Sequence, residues 1–402
     1  MTFGKHSLLL SGARIVLPGR ILEGAALTIR NGRIEEVGPS QGSVATQTRI
    51  DLKGCTLYPG FIDVHIHGAK GVDTMEANKN GLATVSVFLA SQGVTAWSPT
   101  LVPAPDRDYQ LAVKAITELM VEQSDASKDE RQRKLGARAL GVHYEGPFVN
   151  QLQCGALRTD YFKTLTALSE LHNLPLPQAQ PAVKMMTVAP EVEGGVDLIH
   201  GLKARNWVVA IGHTRADVEV LDQAYKAGAR HMTHFMNAMP PMHHRAPGPV
   251  GWGLVRDDVT CDLIADGVHL DPFMLQLLLR MKSPKRLTLI SDAVAATGLG
   301  DGEYKIWGEI IEVRKGRTRN ARGNIAGSVI TLLDAVRMMK SLGVAEVDIA
   351  QMASTNPARL LGLDRECGSI EEGKRADLVA LDSEGNVQLT LVGGAVAYQD
   401  RW

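Results

Sequence analysis

Six side chains carry the chemistry for which this sequence can be read. His65 and His67 stand two apart in FIDVHIH, Glu145 closes GVHYE, His213 follows VVAIG, His234 follows HMT, and Asp292 follows LIS. Each comes at the end of a short apolar run of the kind that forms a buried strand. Alternation along a strand puts His65 and His67 on one face and Ile66 on the other. Imidazoles combined with a carboxylate suit Zn²⁺ or another first-row divalent ion. The four histidines and Glu145 exceed what one tetrahedral ion needs, so two ions sharing Glu145 fit the set. An ion held there lowers the pKa of a water toward neutrality. Asp292 would then take that water's proton and pass it to a leaving group. Metal-assisted hydrolysis is the chemistry expected. Taken singly, a histidine at a strand end is more often a hydrogen-bonded structural residue, so the argument rests on the coincidence. Asp292 has a rival reading as a helix N-cap beside Ser291. His231 is read as structural.

Those residues need elements that bring them to one place. Between residues 59 and 360 the apolar runs FIDVHI, VTAWSPTLV, ARALGVHYE, VKMMTVAP, WVVAIG, ARHMTH, TCDLIA and RLTLIS mostly alternate with helical patterns such as DYQLAVKAITELMVEQ, DVEVLDQAYKAG and PFMLQLLLRMK. Strands and helices in that order fit a (β/α)8 TIM barrel, typically about 250 residues, in which all strand C-termini open on one mouth. A doubly wound open sheet is the competing architecture. It calls for a glycine-rich phosphate turn after its first strand, whereas here the first strand runs into His-Ile-His. The segment YKIWGEIIEVRKGRTRNARGNIAGS reads as a hairpin inserted between the last strand and its helix. Both chain ends are β-rich and broken by turn residues. Residues 1–58 and 361–402 are therefore expected to form one discontinuous β domain, a small β-sandwich, around the barrel of 59–360.

Bulk composition narrows the partners. The chain has 402 residues, 45% hydrophobic and 22% charged, with a formal net charge of −1. No basic excess points to nucleic acid, and a small molecule is the expected partner. The four cysteines, Cys55, Cys154, Cys261 and Cys367, form no CxxC pair, which fits a reducing compartment. No apolar stretch approaches a membrane span, and the N-terminus MTFGKHSLLLSGARIV reads as a strand rather than a signal peptide. The expected location is the cytoplasm.

Substrate contacts are expected from the loops at the mouth. The Pro-Gly-rich segment THFMNAMPPMHHRAPGPVG follows the sixth strand and holds Asn237, Ala238, His243, His244 and Arg245. Arg245 has the geometry to bind a phosphate or carboxylate through two parallel hydrogen bonds. His269 follows the seventh strand, where its rival reading is a helix-entry residue.

These segments together resemble the amidohydrolase superfamily, and within it the branch that deacetylates N-acetyl amino-sugar phosphates. The marks are PGFIDVHIHG at 59–68, HYEGPF at 143–148, IGHT at 211–214, THFMNAMPP at 233–241, RAPGPVG at 245–251, IADGVHLD at 264–271 and SDAVAATG at 291–298. The HxH pair alone identifies the superfamily; the other segments are narrower. The resemblance implies that Glu145, His213 and His234 hold the principal metal, with His65 and His67 matching the variant that holds a second ion. It makes Asp292 the acid/base, and it places Asn237, the Ala238 backbone and His269 on the sugar phosphate. It brings Arg245 to the phosphate from a neighbouring subunit, hence a homodimer. Zinc is the first expectation for the metal, with iron, cobalt or manganese as alternatives, one or two ions per subunit. One departure stands out. The branch usually carries Lys-Gly-Ala-His soon after Glu-Gly-Pro, and its His contacts substrate. Here Cys154-Gly155-Ala156-Leu157 stands instead. Ala156 keeps its place in the substrate loop, Leu157 cannot hydrogen-bond through its side chain, and Arg158 is the one nearby candidate to replace the lost contact. The expected reaction is conversion of N-acetylglucosamine-6-phosphate to glucosamine-6-phosphate and acetate. The rivals are N-acetylgalactosamine-6-phosphate, an unphosphorylated N-acetyl sugar, a cyclic amide, or a barrel that binds without catalysing.

Overall fold

The computed structural model describes residues 7–39, 48–125 and 135–400. The strand expected at the N-terminus is described from Ser7 onward, and its first six positions lie outside the described residues.

The expected barrel strands all form: Phe61–Ile66, Val94–Leu101, Gly141–Glu145, Val183–Val188, Val208–Ile211, His231–Met232, Thr260–Ile264 and Leu287–Ile290. They pair in parallel in chain order from first to eighth. Most are buried along their whole length, as parallel strands covered on both faces must be. Helices Lys79–Ser91, Asp106–Ser124, Gly195–Ala204, Val218–Lys226, Gly248–Val255, Pro272–Lys282 and Leu332–Ser341 follow strands one, two and four to eight. The third strand is followed only by the short helical turns Gln151–Gln153, Thr159–Tyr161 and Leu168–Asn173.

The seam between the eighth and first strands is held by a few specific bonds. The Asp292 N–H donates to the His65 carbonyl at 3.0 Å. The buried Asp63 carboxylate accepts from the N–H groups of Ser291 at 3.3 Å and His65 at 3.4 Å. Burial pushes the Asp63 carboxyl up to about 6. One acidic side chain thus ties the strand that carries the histidine pair to the strand that carries Asp292.

Below the mouth the barrel interior has a polar layer. His143 Nδ1 lies 3.1 Å from the Val64 carbonyl, and its Nε2 lies 2.8 Å from Thr187 Oγ1, which in turn is 2.8 Å from Thr233 Oγ1. A carbonyl only accepts, so Nδ1 carries the proton and Nε2 accepts from the Thr187 hydroxyl. Burial, reinforced by the neighbouring His65, keeps this imidazole well below its usual pKa and therefore neutral. His231 faces Asp262 at 2.9 Å and Thr260 Oγ1 at 2.7 Å, away from the ligand groups, in keeping with its structural reading.

The two chain ends combine in one eight-stranded sheet. Its path runs Ala395–Gln399, Val387–Val392, Leu378–Leu381, Thr56–Pro59, Ser7–Leu17, Arg20–Arg30 and Arg33–Pro39, with Thr48–Asp51 paired to Ser7–Leu17 off that path. Alternation divides its side chains between two cores. Val379 and Leu381 pack with the barrel cluster, whereas Leu378 and Ala380 join a separate cluster with Leu10, Ile15, Leu27 and Leu57. The sheet is thereby anchored to the barrel through one face and closed by its own core on the other.

The segment expected as a hairpin is instead a three-stranded antiparallel sheet, Gly302–Ile306, Glu309–Arg314 and Arg317–Asn320. The third strand gives little signal in the sequence because RTRN has no apolar alternation. Among the described residues no helix is long and apolar enough to cross a membrane.

Candidate metal centre

The groups sit at or just beyond strand ends, and three of them are turned into the mouth by a left-handed backbone. His65 closes on the mouth from the first strand, with His67 just beyond it. His213, His234 and Asp292 lie just past the ends of strands five, six and eight, and their φ values are +47°, +30° and +51°. Left-handed conformations are uncommon for residues other than glycine, and they concentrate at functional sites where the surroundings enforce them. At Asp292 the enforcement is visible: the Ser328 N–H donates to the Asp292 carbonyl at 2.7 Å. Gly327, at φ +57°, lies so close that a Cβ there would stand 2.8 Å from the same carbonyl. Asp292 begins no helix, which removes its rival reading as an N-cap.

The side chains converge on Glu145, which is 3% exposed. Its Oε1 lies 3.0 Å from His213 Nε2, 3.0 Å from His234 Nε2 and 3.4 Å from His65 Nε2. Its Oε2 lies 3.4 Å from His67 Nε2. The two nitrogens of His213 and His234 are 3.1 Å apart, and those of His65 and His67 are 3.2 Å apart. Asp292 Oδ1 stands 3.2 Å from His67 Nε2 and 3.4 Å from His65 Nε2.

These separations suit a metal. Bonds of 2.0–2.1 Å to a tetrahedral ion put neighbouring ligand atoms about 3.3 Å apart. Two triads meet that geometry, His65–His67–Glu145 and Glu145–His213–His234, and they share the carboxylate. His213 is also oriented from behind, its Nδ1 2.7 Å from the Gln153 carbonyl. That contact fixes the proton on Nδ1 and leaves the Nε2 lone pair for a ligand. The electrostatics agree. Burial pushes the Glu145 carboxyl up, but the His65, His213 and His234 rings outweigh it and hold it well below the usual range. Burial likewise lowers His67, but Asp292 and Glu145 carry it up to about 10. Asp292 is raised by burial and lowered more by His65 and His67, so it ends below its ordinary value. Surroundings that favour positive charge on His67 and His234 suit a cation.

A cavity of about 130 Å³ opens over these groups, lined by His67, Glu145, Gly155, Ala156, Leu157, His213, His234, Asn237, Ala238, His269, Asp292, Trp307, Ile325 and Gly327. A larger cavity, about 1150 Å³, borders Arg138, Glu366 and Arg375 and includes none of the ligand groups. Size does not locate the chemistry here; the ligand geometry does. Of the residues expected to touch substrate, Ala156, Asn237, Ala238 and His269 line the smaller cavity. The exposed Arg245 does not line it, and its Nη1 lies 2.9 Å from His244 Nε2. His269 does not cap the following helix, whose N-cap is Asp271. Leu157 is buried and faces the cavity, while Arg158 sits over the Tyr161 ring at 4.8 Å instead of replacing the lost polar contact there.

Three further residues take part in shaping the site. Asp266 Oδ2 lies 2.7 Å from His269 Nδ1 and orients that ring; the i, i+3 spacing inside IADGVH was the available signal. Asp63 ties the seam, and nothing in its strand context marks that. Trp307 reaches the cavity from the inserted sheet.

The description Amidohydrolase family belongs to a family model that matches residues 56–397. The chain is 34% identical to the N-acetylglucosamine-6-phosphate deacetylase of Bacillus subtilis (strain 168), over 98% of each chain. It is 37% identical to the N-acetylgalactosamine-6-phosphate deacetylase of Escherichia coli O157:H7, over 94% of this chain and 95% of that one. A mutant N-acetyl-D-glucosamine-6-phosphate deacetylase from Mycobacterium smegmatis, solved in complex with N-acetyl-D-glucosamine-6-phosphate, superposes with a TM-score of 0.85 at 30% identity. That match covers 98% of this chain and 100% of the other.

Glu145→Gln is expected to lower metal content sharply, because a neutral amide loses the charge that makes the carboxylate a ligand for both triads. Replacing His65 and His67 together by Asn should remove at most the metal held by that pair. Elemental analysis after dialysis checks both. Full occupancy in Glu145→Gln would show that the carboxylate is not the shared ligand.

Proposed function

The chain belongs to the amidohydrolase family, and from that premise we propose that it hydrolyses the acetamide of N-acetylglucosamine-6-phosphate, giving glucosamine-6-phosphate and acetate. The observation that carries this reading is the shared buried Glu145, flanked by two histidine pairs, with Asp292 3.2 Å from His67 at the floor of a cavity that Asn237 and His269 line. The relatives' names supply the substrate.

Glu145, His213 and His234 would hold the principal ion, with His65 and His67 holding a second. Zinc is the ion proposed, with iron, cobalt and manganese compatible with the same donors. When bound, such an ion polarises the amide carbonyl and makes water more acidic. The chain's own residues do the rest. Asp292, kept ionised by His65 and His67, takes a proton from the attacking water as its oxygen bonds to the carbonyl carbon. The same carboxyl returns that proton to the amide nitrogen as the C–N bond breaks, so acetate and the amine leave balanced. His269, held by Asp266, together with Asn237 and the Ala238 backbone, orients the sugar phosphate. Arg245 would reach the phosphate of a partner subunit's site, which makes the working form a homodimer; its exposure and its absence from its own cavity lining support this. The cytoplasm is the proposed location, and no nucleic-acid or membrane partner is proposed.

The C4 epimer, N-acetylgalactosamine-6-phosphate, is a second reading, favoured by the 37% identity to the Escherichia coli enzyme and by Leu157, which offers no side-chain hydrogen bond. Release of acetate from both epimers, with and without the phosphate, tests the proposal on purified protein of known metal content. No acetate from any phosphorylated substrate would reject it.

Asp292→Asn should keep its metal and lose about 100- to 10,000-fold in kcat, the usual worth of acid/base assistance. Near-normal turnover in metal-replete Asp292→Asn would remove the role. Arg245→Ala should raise KM for the phosphorylated substrate roughly tenfold or more, since charge-assisted hydrogen bonds contribute about 1.5–3 kcal/mol, and should leave a plain N-acetyl sugar little affected. If Arg245 acts across the interface, mixing Arg245→Ala with Asp292→Asn subunits under exchange restores part of the activity; no recovery would place it in its own subunit's site.

A further inference from the structure

We infer that Trp307 sets the size of the acyl group that this site accepts, an inference that rests on the amide-hydrolysis reading above. Trp307 and Gly308 form the two-residue turn between strands Gly302–Ile306 and Glu309–Arg314, with Ile306 paired to Glu309. Their φ values are +52° and +80°, which is the tight hairpin turn that normally takes Asn or Asp before Gly. A tryptophan in that first position is a backbone outlier. The side chain is nevertheless 6% exposed and stands edge-on to the His67 ring, with centroids 5.1 Å apart at 82°. A strained turn is a cost that the hairpin bears in order to put an aromatic ring at this point, and such outliers concentrate where function requires them.

The position of the ring fixes what it would meet. Asn237 and Ala238 come from the loop after the sixth strand and His269 from the loop after the seventh. Trp307 lies instead over the ligand of the first strand, three strands around the barrel from the sixth. An amide carbonyl placed between Glu145 and Asp292 has two substituents, the sugar nitrogen and the acyl carbon. With the sugar directed toward Asn237 and His269, the acyl carbon points toward His67 and Trp307. At that end of the cavity a rigid indole limits how far an acyl chain can extend.

The test compares kcat/KM for the N-acetyl, N-propionyl and N-butyryl derivatives of glucosamine-6-phosphate. The proteins are the metal-loaded wild type, Trp307→Gly and Trp307→Asn, both of which suit the positive φ and keep the hairpin turn. The wild type should lose about tenfold or more per added methylene, within the range a fitted apolar pocket gives. Both variants should flatten that series to within about threefold. Equal acyl profiles in wild type and variants, with the acetyl substrate turned over, would overturn the inference and leave the deacetylase reading intact. So would a variant that shifts KM equally for all three compounds, because that places the ring against the sugar. A wild type that releases no acid from any of the three would instead overturn the deacetylase reading, and this inference with it.

Discussion

The arrangement of the barrel mouth follows from burying the Glu145 carboxylate. A carboxylate removed from water costs several kcal/mol unless positive charge and hydrogen-bond donors surround it. Here the surroundings are four imidazole nitrogens within 3.4 Å, drawn from strands one, five and six. No hydrogen bond to a neutral side chain would do as well, and no single strand could supply them. The charge therefore dictates that the strands converge, and that the histidines point inward from more than one side. It also leaves the group poised for a cation, since a buried carboxylate ringed by imidazole nitrogens offers a ready set of donors.

Around that centre, rigidity and adaptability are separated. The floor is fixed by backbone: left-handed residues at His213, His234 and Asp292, the Asp63 seam, and the His143–Thr187–Thr233 chain beneath. The roof is made of loops that brace one another. Arg322 Nη2 donates to the Ala156 carbonyl at 3.0 Å, and Asn324 Nδ2 donates to the Gly155 carbonyl at 2.9 Å. The inserted segment thus holds the loop in which Leu157 stands, and the two pieces that depart most from expectation lie against each other. The side chains of the roof can therefore differ without moving the residues around Glu145.

The barrel was legible in the sequence because buried parallel strands are short apolar runs, and because the groups that end them are chemically conspicuous. His65, His67, Glu145, His213 and His234 could be assembled from strand ends alone. What could not be read depends on direction in three dimensions. Trp307 sits in a segment whose pattern announces a turn but not where the turn points. Asp63 looks like one more residue of an apolar strand until the barrel closes and its carboxylate meets Ser291. Arg158 has the right charge beside Leu157, yet the backbone turns it onto Tyr161. A periodic pattern specifies which face is buried; it does not specify what a loop touches.

The terminal sheet has a consequence for biosynthesis. Thr56–Pro59, the strand that leads directly into the first barrel strand, pairs with Leu378–Leu381, and the Gly60 N–H bonds to the Asp377 carbonyl. The whole barrel separates these partners in the chain. As the polypeptide leaves the ribosome, the first strands can form their local antiparallel pairs, but the edge of Thr56–Pro59 stays unpaired until Leu378–Leu381 emerges. Contacts this distant in sequence form slowly, and an unpaired edge is a template for other chains. The nascent protein therefore passes a long vulnerable interval with the whole barrel already synthesised and its sheet open, and that interval ends only when Leu378–Leu381 reaches that edge.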